Sequence, residues 1–235
     1  MDLNDDRKFI TSRRVRVSDS GTDGVIRIDA IARYLQDVGF DDTNDIGVCD
    51  GGTWVARTIQ IDFPKKEFWP KRNEVVNIQT YCGGYGSAFA QRNVEVSTKA
   101  SPISASTIWV HIDERGKPAK IPDWLKSAYP NARKISSPKL SILPQMEGEI
   151  SEINFQLRQK DLDVNGHVNN AVFFEALIDI AGFIEAKDPC RVIMEYVKPV
   201  DVGEKIRLSV KKKIDGFEAW LKTEQNIACQ MKWIV

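Results

Sequence analysis

An internal repeat is the feature that most constrains the fold of this chain of 235 residues. Apolar side chains alternate over residues 13–17, as in a half-buried strand, and Ile28, Ile31, Leu35 and Val38 then recur at helical spacing. Several alternating segments follow. The second half of the chain has the same order, with one strand-like segment, one apolar helix and a run of strands. We therefore expect two copies of one supersecondary unit, packed side by side.

The predicted elements correspond between the halves. Four strands are expected after the first helix, near residues 59–63, 75–81, 89–96 and 107–112. In the second half a strand near residues 153–157 precedes a helix over residues 172–183, and strands follow near residues 192–197, 206–212, 217–223 and 227–233. One apolar helix with several antiparallel strands predicts an α+β fold in which each sheet wraps around its helix.

Helix-breaking residues separate the two halves. Prolines and serines cluster over residues 115–150, which we interpret as a connector that contains a short helix at residues 123–128. The predicted division of the chain is a first unit of residues 1–130, a linker of residues 131–150 and a second unit of residues 151–235.

The end of the first helix is marked by a glycine. Gly39 follows the last apolar residue of the helical pattern, which is where helices commonly stop. Residues 41–52 contain three glycines and no apolar period, so we predict an irregular loop there.

Charge and composition argue against several classes of function. The 33 basic and 33 acidic side chains balance, which argues against nucleic acid as an obligatory partner. The acidic N-terminus, M-D-L-N-D-D, does not resemble a secretory signal, and no run reaches the roughly 18–20 apolar residues that span a bilayer. The four cysteines lack C-x-x-C spacing, and with two histidines they form no metal-ligand set. We expect a cytoplasmic protein with no metal and no other cofactor.

The strongest functional signal is a polar stretch at residues 161–170, D-L-D-V-N-G-H-V-N-N, directly before the second helix. It holds two carboxylates, three carboxamides and one of the two histidines. A helix N-terminus presents free backbone N–H groups that favour a developing anion, which suits attack on a carbonyl carbon. Asp161 is interpreted as a turn cap, because aspartate commonly accepts hydrogen bonds from nearby backbone. His111, in an alternating strand, is interpreted as structural.

The same stretch carries a family resemblance. The pattern D-L-D-x-N-x-H-V-N-N, followed by an aromatic helix, resembles acyl-(acyl-carrier-protein) thioesterases, hotdog-fold enzymes that release free fatty acids. Residues 30–38, A-I-A-R-Y-L-Q-D-V, and residues 108–112, I-W-V-H-I, resemble the first half of that family. The resemblance implies a tandem hotdog, an internal pseudo-dimer that acts as a monomer or as a homodimer. It also implies hydrolysis of fatty acyl thioesters carried by acyl carrier protein.

The resemblance assigns catalytic roles to Asp163, Asn165 and His167. Asp163 is expected to act as nucleophile or general base, Asn165 to hold water or substrate, and His167 to shuttle a proton or to donate its backbone N–H. Four further residues are expected to contact substrate, namely Asn169, Asn170, Phe173 and Glu195. The residues alone favour a structural alternative, in which the two asparagines cap the helix and the phenylalanine lies in the core.

Only the second half is predicted to be active. Alignment of the repeats on Gly24 and Gly166 pairs the functional residues with groups of different chemistry. The pairs are Asp163 with Gly21, Asn165 with Asp23, His167 with Val25, and Asn169 with Arg27. The first half is then available to supply an apolar cavity, and in the resembled family the acyl chain lies mainly in that half.

One departure from the family affects the mechanism. Plant members read L-E-Y-x-x-E-C-G in the strand after the second helix, where the later Glu and Cys have been assigned catalytic roles. This chain has Pro199 and Val200 at those two positions. We therefore favour attack by water or by Asp163 over attack by a cysteine, and whether Glu195 or Glu175 compensates is left open.

Alternative functions remain open from the sequence. An acyl-CoA thioesterase would have the same site chemistry, because carrier recognition depends on surface patches. A non-catalytic acyl-ligand-binding protein would keep the pocket without turnover, and the intact Asp, Asn and His argue against it. Hotdog enoyl hydratases resemble D-x-N-x-x-H, which is one residue longer than the spacing from Asp163 to His167, so hydration is disfavoured.

Overall fold

The structure is a computed structural model that describes residues 7–48, 52–98, 101–136, 151–163, 166–201 and 203–235. Within them the α-helices are α1 (Ile28–Asp45), α2 (Asp123–Ala128) and α3 (Val172–Phe183). The strands of the first half are β1 (Lys8–Arg14), β2 (Thr53–Asp62), β3 (Val75–Tyr85), β4 (Phe89–Ser97) and β5 (Ile103–Ile112). Those of the second half are β6 (Ser151–Phe155), β7 (Arg191–Tyr196), β8 (Ile206–Lys213), β9 (Gly216–Lys222) and β10 (Ile227–Ile234).

A single antiparallel sheet contains all of these strands. The strand order is β1-β3-β4-β5-β2 in the first half and, read from the opposite edge, β6-β8-β9-β10-β7 in the second half. The halves meet where β2 pairs with its counterpart β7, from Thr58 opposite Glu195 to Asp62 opposite Arg191. The shared strand order confirms the predicted repeat and the tandem hotdog fold.

The two long helices pack together inside the curve of this sheet. α1 contacts α3, and residues of both helices and both half-sheets form one apolar cluster. Strand alternation directs Val192, Met194 and Tyr196 of β7 towards α3, where the ring of Tyr196 meets that of Phe173 edge-on at 5.5 Å. Because nearly every side of α3 is apolar, this helix needs a sheet around it to remove its surface from water.

The first helix is longer than the sequence indicates. α1 continues past Gly39 to Asp45, so the predicted stop at Gly39 is wrong, as is the loop predicted for residues 41–45. Asp42 lies fully buried within this extension, and its carboxylate accepts hydrogen bonds from Arg7, Arg92 and the hydroxyl of Tyr129. These partners offset the cost of burying the charge, so the helix can continue through a polar residue.

Gly39 lies inside the helix next to Arg92. A Cβ atom at this position would lie 3.4 Å from the Cδ and Nε atoms of Arg92, whose guanidinium pairs with Asp42. This is close to an ordinary contact with a flexible side chain, so the position does not require glycine.

The first strand also differs from its prediction. β1 ends at Arg14, and the chain then turns into a short 3-10 helix, Val17–Asp19. Val15 is fully buried, but Val17 is 74% exposed, so the alternation over residues 13–17 does not mark a strand. The turn forms because the carboxylate of Asp19 accepts the backbone N–H of Arg16 at 2.9 Å.

The described part of the connector packs on the first half. The short helix predicted at residues 123–128 is confirmed as α2, and it buries Leu125 next to Tyr129. Residues 131–136, assigned to the linker from sequence, hydrogen-bond with the end of β3 through both the N–H and the carbonyl of Tyr85. Residues 137–150 lie outside the described residues. Among the described helices, none is long and apolar enough to cross a membrane.

Truncation of the α3 core should be costly. Leu177 is fully buried, so Leu177→Ala should lower the free energy of unfolding by about 2–5 kcal/mol, through lost apolar burial and the cavity left behind. Phe183 of the same helix is 63% exposed, and Phe183→Ala should cost less than about 1 kcal/mol. Chemical denaturation of both variants measures the difference. Equal losses would mean that this face of α3 does not form the core.

Candidate active site

The polar stretch forms a closed loop at the start of α3. We call residues 161–170 the polar loop. Leu162 and Val168 form an antiparallel bridge across it. Inside the bridge, the N–H of Asp163 donates to the carbonyl of His167 at 2.7 Å, and the N–H of Gly166 donates to the carbonyl of Asp163 at 3.0 Å. The loop thus has a defined backbone frame that holds Asp163 and His167 together.

Asp163 and His167 are linked through the backbone. The carboxylate of Asp163 accepts the backbone N–H of His167 at 3.1 Å, so this bond does not involve the imidazole ring. Asp163 is half-buried, whereas His167 is exposed. Asn165, the third candidate catalytic residue, lies outside the described residues. The structure therefore places two of the three candidates on one small loop, whose base at Asp161 is buried and whose described tip, at Gly166 and His167, is exposed.

Asp161 anchors the base of the polar loop. Its side chain is only 2% exposed and accepts the backbone N–H of Arg158 at 2.7 Å and the Nε–H of the same arginine at 3.1 Å. Its carbonyl accepts the N–H of Asn169 at 2.8 Å, which closes the other end of the loop. The interpretation of Asp161 as a turn cap is confirmed.

The last residues of the loop lead the chain into α3. Asn169 accepts the N–H of Ala171 on its side-chain oxygen at 2.9 Å, but the N-cap position itself is Ala171. The prediction that Asn169 or Asn170 is the N-cap is therefore wrong, although Asn169 does satisfy a backbone donor one residue earlier. The carbonyl of Asn170 accepts the hydroxyl of Tyr196 at 2.8 Å, and Phe173 is buried beside that ring. The substrate contacts expected of these residues stay predictions.

Glu195 faces away from this group. It lies between Met194 and Tyr196 on β7, and successive strand residues point to opposite faces of a sheet. Because Tyr196 meets Phe173 on the helix side, the side chain of Glu195 points to the other side of the sheet, where it is 8% exposed. A role for Glu195 in contacting substrate, or in replacing the carboxylate missing at Pro199, would require access from that other face.

Glu175 is held by two arginines. It lies on the first turn of α3, and its carboxylate is 3.0 Å from Arg158 and 3.7 Å from Arg33 of α1. Sequence reasoning singled out neither arginine. The sequence pattern that could have indicated Arg158 is the spacing R-x-x-D, which occurs at Arg16 with Asp19 and again at Arg158 with Asp161.

The cysteines near α3 are poorly suited to nucleophilic attack. Burial raises the pKa of the Cys229 thiol well above its ordinary value, and the nearby Glu195 charge raises it further. The thiolate, which is the reactive form, is therefore suppressed. Cys190 is exposed, but it lies just before the start of β7. The polar loop contacts Tyr196 at the other end of that strand. At roughly 3.3 Å per residue, Cys190 and Tyr196 are about 20 Å apart. The described residues also contain no group of three or more candidate metal ligands.

The first half contains a loop with the same backbone frame. We call residues 19–27 the counterpart loop. Its three closing bonds repeat those of the polar loop, with Gly21 N–H to Val25 carbonyl at 2.8 Å, Gly24 N–H to Gly21 carbonyl at 3.0 Å, and Arg27 N–H to Asp19 carbonyl at 2.8 Å. Gly24 and Gly166 have left-handed φ values of 76° and 77°. The predicted alignment of Gly21, Val25 and Arg27 with Asp163, His167 and Asn169 is thereby confirmed.

The counterpart loop is bonded into its surroundings. Asp23, aligned with Asn165, accepts the N–H of Val25, and this bond together with Lys66 at 3.1 Å keeps the pKa of Asp23 below its ordinary value. The N–H of Ile26 donates to the carbonyl of Pro70 at 2.9 Å. The functional groups of this loop are thus engaged in structure, which agrees with a single active site in the second half.

Both halves of the chain match models of one family. Residues 6–129 match the acyl-ACP thioesterase N-terminal domain, and residues 145–234 match the acyl-ACP thioesterase C-terminal domain. The chain belongs to the acyl-ACP thioesterase family. Because the matches include both the counterpart loop and the polar loop, this assignment does not depend on the polar loop alone.

Individual relatives of this acyl-ACP thioesterase family member are distant. The chain is 25% identical over 186 residues to oleoyl-acyl carrier protein thioesterase 1, chloroplastic, of Arabidopsis thaliana, covering 68% of this chain and 51% of that protein. It is 24% identical over 208 residues to an uncharacterized protein of Mycobacterium tuberculosis, covering 85% of this chain and 81% of that protein. The chain therefore spans about half the length of the plant relative.

Solved structures share the whole fold. A putative oleoyl thioesterase from Lactobacillus plantarum superposes with a TM-score of 0.85 at 20% identity, covering 98% of this chain and 96% of that chain. The 12:0-ACP thioesterase from Umbellularia californica gives a TM-score of 0.77 at 16% identity, covering 97% and 96%. At these identities the likeness establishes the tandem hotdog fold, and the chemistry has to be argued from the residues of the site.

The two left-handed glycines provide a matched test of the site. Alanine at either position would strain the backbone, so Gly166→Ala and Gly24→Ala should each cost about 1–2 kcal/mol of stability. Only Gly166→Ala should also reduce thioesterase turnover, because it distorts the loop that carries Asp163 and His167. Thermal unfolding and thiol-release assays on both variants separate the two effects. Equal loss of turnover would contradict a single site in the second half.

Proposed function

We propose that this chain hydrolyses the thioester bond of a fatty acyl chain on acyl carrier protein, and that the polar loop carries out the chemistry. Membership of the acyl-ACP thioesterase family supports the reaction. The observation that supports the site is the contrast between two loops of identical backbone frame. Only the loop of the second half carries the Asp, Asn and His that attack on a carbonyl can use.

In the proposed mechanism, Asp163 activates the attacking water as a general base, or attacks the carbonyl carbon itself to expel the thiolate and form a mixed anhydride, which water then hydrolyses. A positioned base is typically worth about 10²–10⁴-fold in rate. Asp163 suits either role because it is half-buried and its carboxylate is fixed by the His167 N–H. Asn165 would orient the water or the substrate.

Negative charge that develops on the carbonyl oxygen would be stabilised at the start of α3. The positive end of the helix dipole points towards the polar loop, and one oxyanion donor is typically worth about 10²–10³-fold. His167 lies at the exposed tip of the loop, where its side chain could shuttle a proton. The sulfur leaving group departs readily as a thiolate, so a strong leaving-group acid is not required.

The proposal also divides the chain by task. The first unit, residues 1–130, would hold the acyl chain against α1 and its sheet, residues 131–150 would join the units, and residues 151–235 would perform hydrolysis. The counterpart loop supports this division, because its polar groups are committed to structure. The protein would work in the cytoplasm without a cofactor, as a monomeric pseudo-dimer or as a homodimer of it.

A panel of thioesters tests the function. Thiol release should be measured on acyl carrier protein esters and on coenzyme A esters of increasing acyl length. Hydrolysis of the carrier-protein esters supports the proposal. Hydrolysis of coenzyme A esters alone would support the proposed thioester chemistry but with coenzyme A, not acyl carrier protein, as the carrier. Tight binding of both without thiol release would identify a non-catalytic acyl-binding protein.

Asp163→Asn should lower turnover by at least about 10²-fold while the protein stays folded. Asparagine keeps an oxygen that can accept the His167 N–H but cannot act as a base or nucleophile. Asp23→Asn in the counterpart loop is the matched control, and it should leave turnover nearly unchanged. Thiol release and thermal unfolding measure both variants. Near-normal turnover of Asp163→Asn would remove Asp163 from the mechanism.

A further inference from the structure

Six charged side chains of alternating sign connect the counterpart loop with the polar loop. In order they are Arg27, Asp29, Arg33, Glu175, Arg158 and Asp161, and the successive contacts measure 2.8, 2.7, 3.7, 3.0 and 3.1 Å. We call this set the charge ladder. It begins in the first half at the residue aligned with Asn169, crosses from α1 to α3, and ends at the base of the polar loop.

Two buried carboxylates, one near each end, hold the ladder in place. Asp29 and Asp161 are 1% and 2% exposed. Burial alone would raise the pKa of Asp29, but Arg27 and Arg33 outweigh it and hold that pKa below its ordinary value. A buried carboxylate that lost its arginine would be strongly destabilised, so the partners of both acids are constrained in position.

Resting on the proposed function, we propose that Arg158 is a positioning residue for thioester hydrolysis. Through Glu175 and Arg33, the first half would then stabilise the catalytic geometry of the second. Arg158 contacts no reacting group in this assignment. It acts by holding Asp161, whose carbonyl closes the polar loop on Asn169.

The geometry of the guanidinium favours arginine over lysine at this position. Its Nε–H donates to Asp161 at 3.1 Å, while its Nη2 lies 3.2 Å from Asp161 and 3.0 Å from Glu175. One planar group thus ties the loop base to the first turn of α3. A lysine ammonium carries the charge as a single point and cannot reproduce this fork.

The counterpart in the first half lacks this arrangement. Arg16 occupies the position of Arg158 in the repeat, and its backbone N–H also donates to the following aspartate, Asp19. Both arginines are exposed, but the side chain of Asp19 accepts the hydroxyl of Tyr34 at 2.8 Å, whereas that of Asp161 accepts the guanidinium of Arg158. The arginine fork is therefore specific to the loop that carries Asp163 and His167.

The contacts rank the contributions within the ladder. Arg158 bonds Asp161 directly, whereas Glu175 reaches it only through Arg158 at 3.0 Å. Removing the charge with Glu175→Gln should therefore disturb the loop less than removing Arg158. Arg33→Gln is a poor test, since it would also remove a partner of the buried Asp29.

The first experiment compares Arg158→Gln, Arg158→Lys and the matched control Arg16→Gln in thiol-release assays. Arg158→Gln should lower kcat roughly 10- to 100-fold, since misplacement of a catalytic group by about 1 Å has costs of that order. KM should change little, Arg158→Lys should recover part of the loss, and Arg16→Gln should match the wild type. Normal kcat in Arg158→Gln, or an equal loss in Arg16→Gln, would overturn the inference.

A second measurement separates positioning from general destabilisation. In an Asp163→Asn background, adding Arg158→Gln should cause little further loss of kcat, because the arginine acts through the loop that is already inactive. A full additional loss would mean that Arg158 acts elsewhere, and would overturn the inference.

Amide hydrogen exchange tests the same inference without turnover. The N–H groups of His167 and Asn169 are bonded within the polar loop, so they should exchange faster in Arg158→Gln and not in Arg16→Gln. Unchanged exchange would overturn the inference even if the enzyme is active. Faster exchange in a protein that hydrolyses no thioester would keep the anchoring role and reject the proposed function instead.

Discussion

The pairing of β2 with β7 is the contact on which the rest of the molecule depends. It joins the sheet edges of the two halves through equivalent strands, so neither of these edges is left with unpaired backbone groups. The same pairing relates the halves by an approximate two-fold rotation, which brings α1 against α3. Contacts between the halves, such as Arg33 with Glu175, exist because of this arrangement. A single half would expose one unpaired sheet edge and one side of its helix.

Duplication of one backbone frame lets the two loops have different tasks. The counterpart loop and the polar loop close with the same three backbone bonds, and each begins with an aspartate that caps a short 3-10 helix. Since these bonds do not involve the side chains at the aligned positions, those side chains can vary without loss of the frame. In the first half Asp23 pairs with Lys66, and in the second the corresponding loop carries Asp163 and His167. On the proposed function, structure and chemistry would be divided between copies of one motif.

Local patterns predicted the elements whose stability is local. The bounds of α3 follow from a polar stretch and a continuous apolar run, and they agree with the structure. The end of α1 could not be predicted, because Asp42 is tolerated there only through Arg92 and Tyr129, which lie 50 and 87 positions away in sequence. Pairing of Arg158 with Glu175 likewise depends on the packing of the loop against α3. The face of Glu195 could have been predicted by alternation, because its neighbours Met194 and Tyr196 are apolar and face the helix.

The chemistry of the site explains why the placement of the polar loop matters so much. A cysteine nucleophile is tethered to the chain, but Val200 replaces it here and the thiol of Cys229 is kept protonated by burial. If water attacks instead, nothing covalent fixes the nucleophile, and its position depends wholly on the groups that bind it. In the proposed mechanism those groups lie on a loop with an exposed tip, so their accuracy would have to come from the buried base of the loop. Anchoring at Asp161, through Arg158 and the ladder behind it, would supply that accuracy.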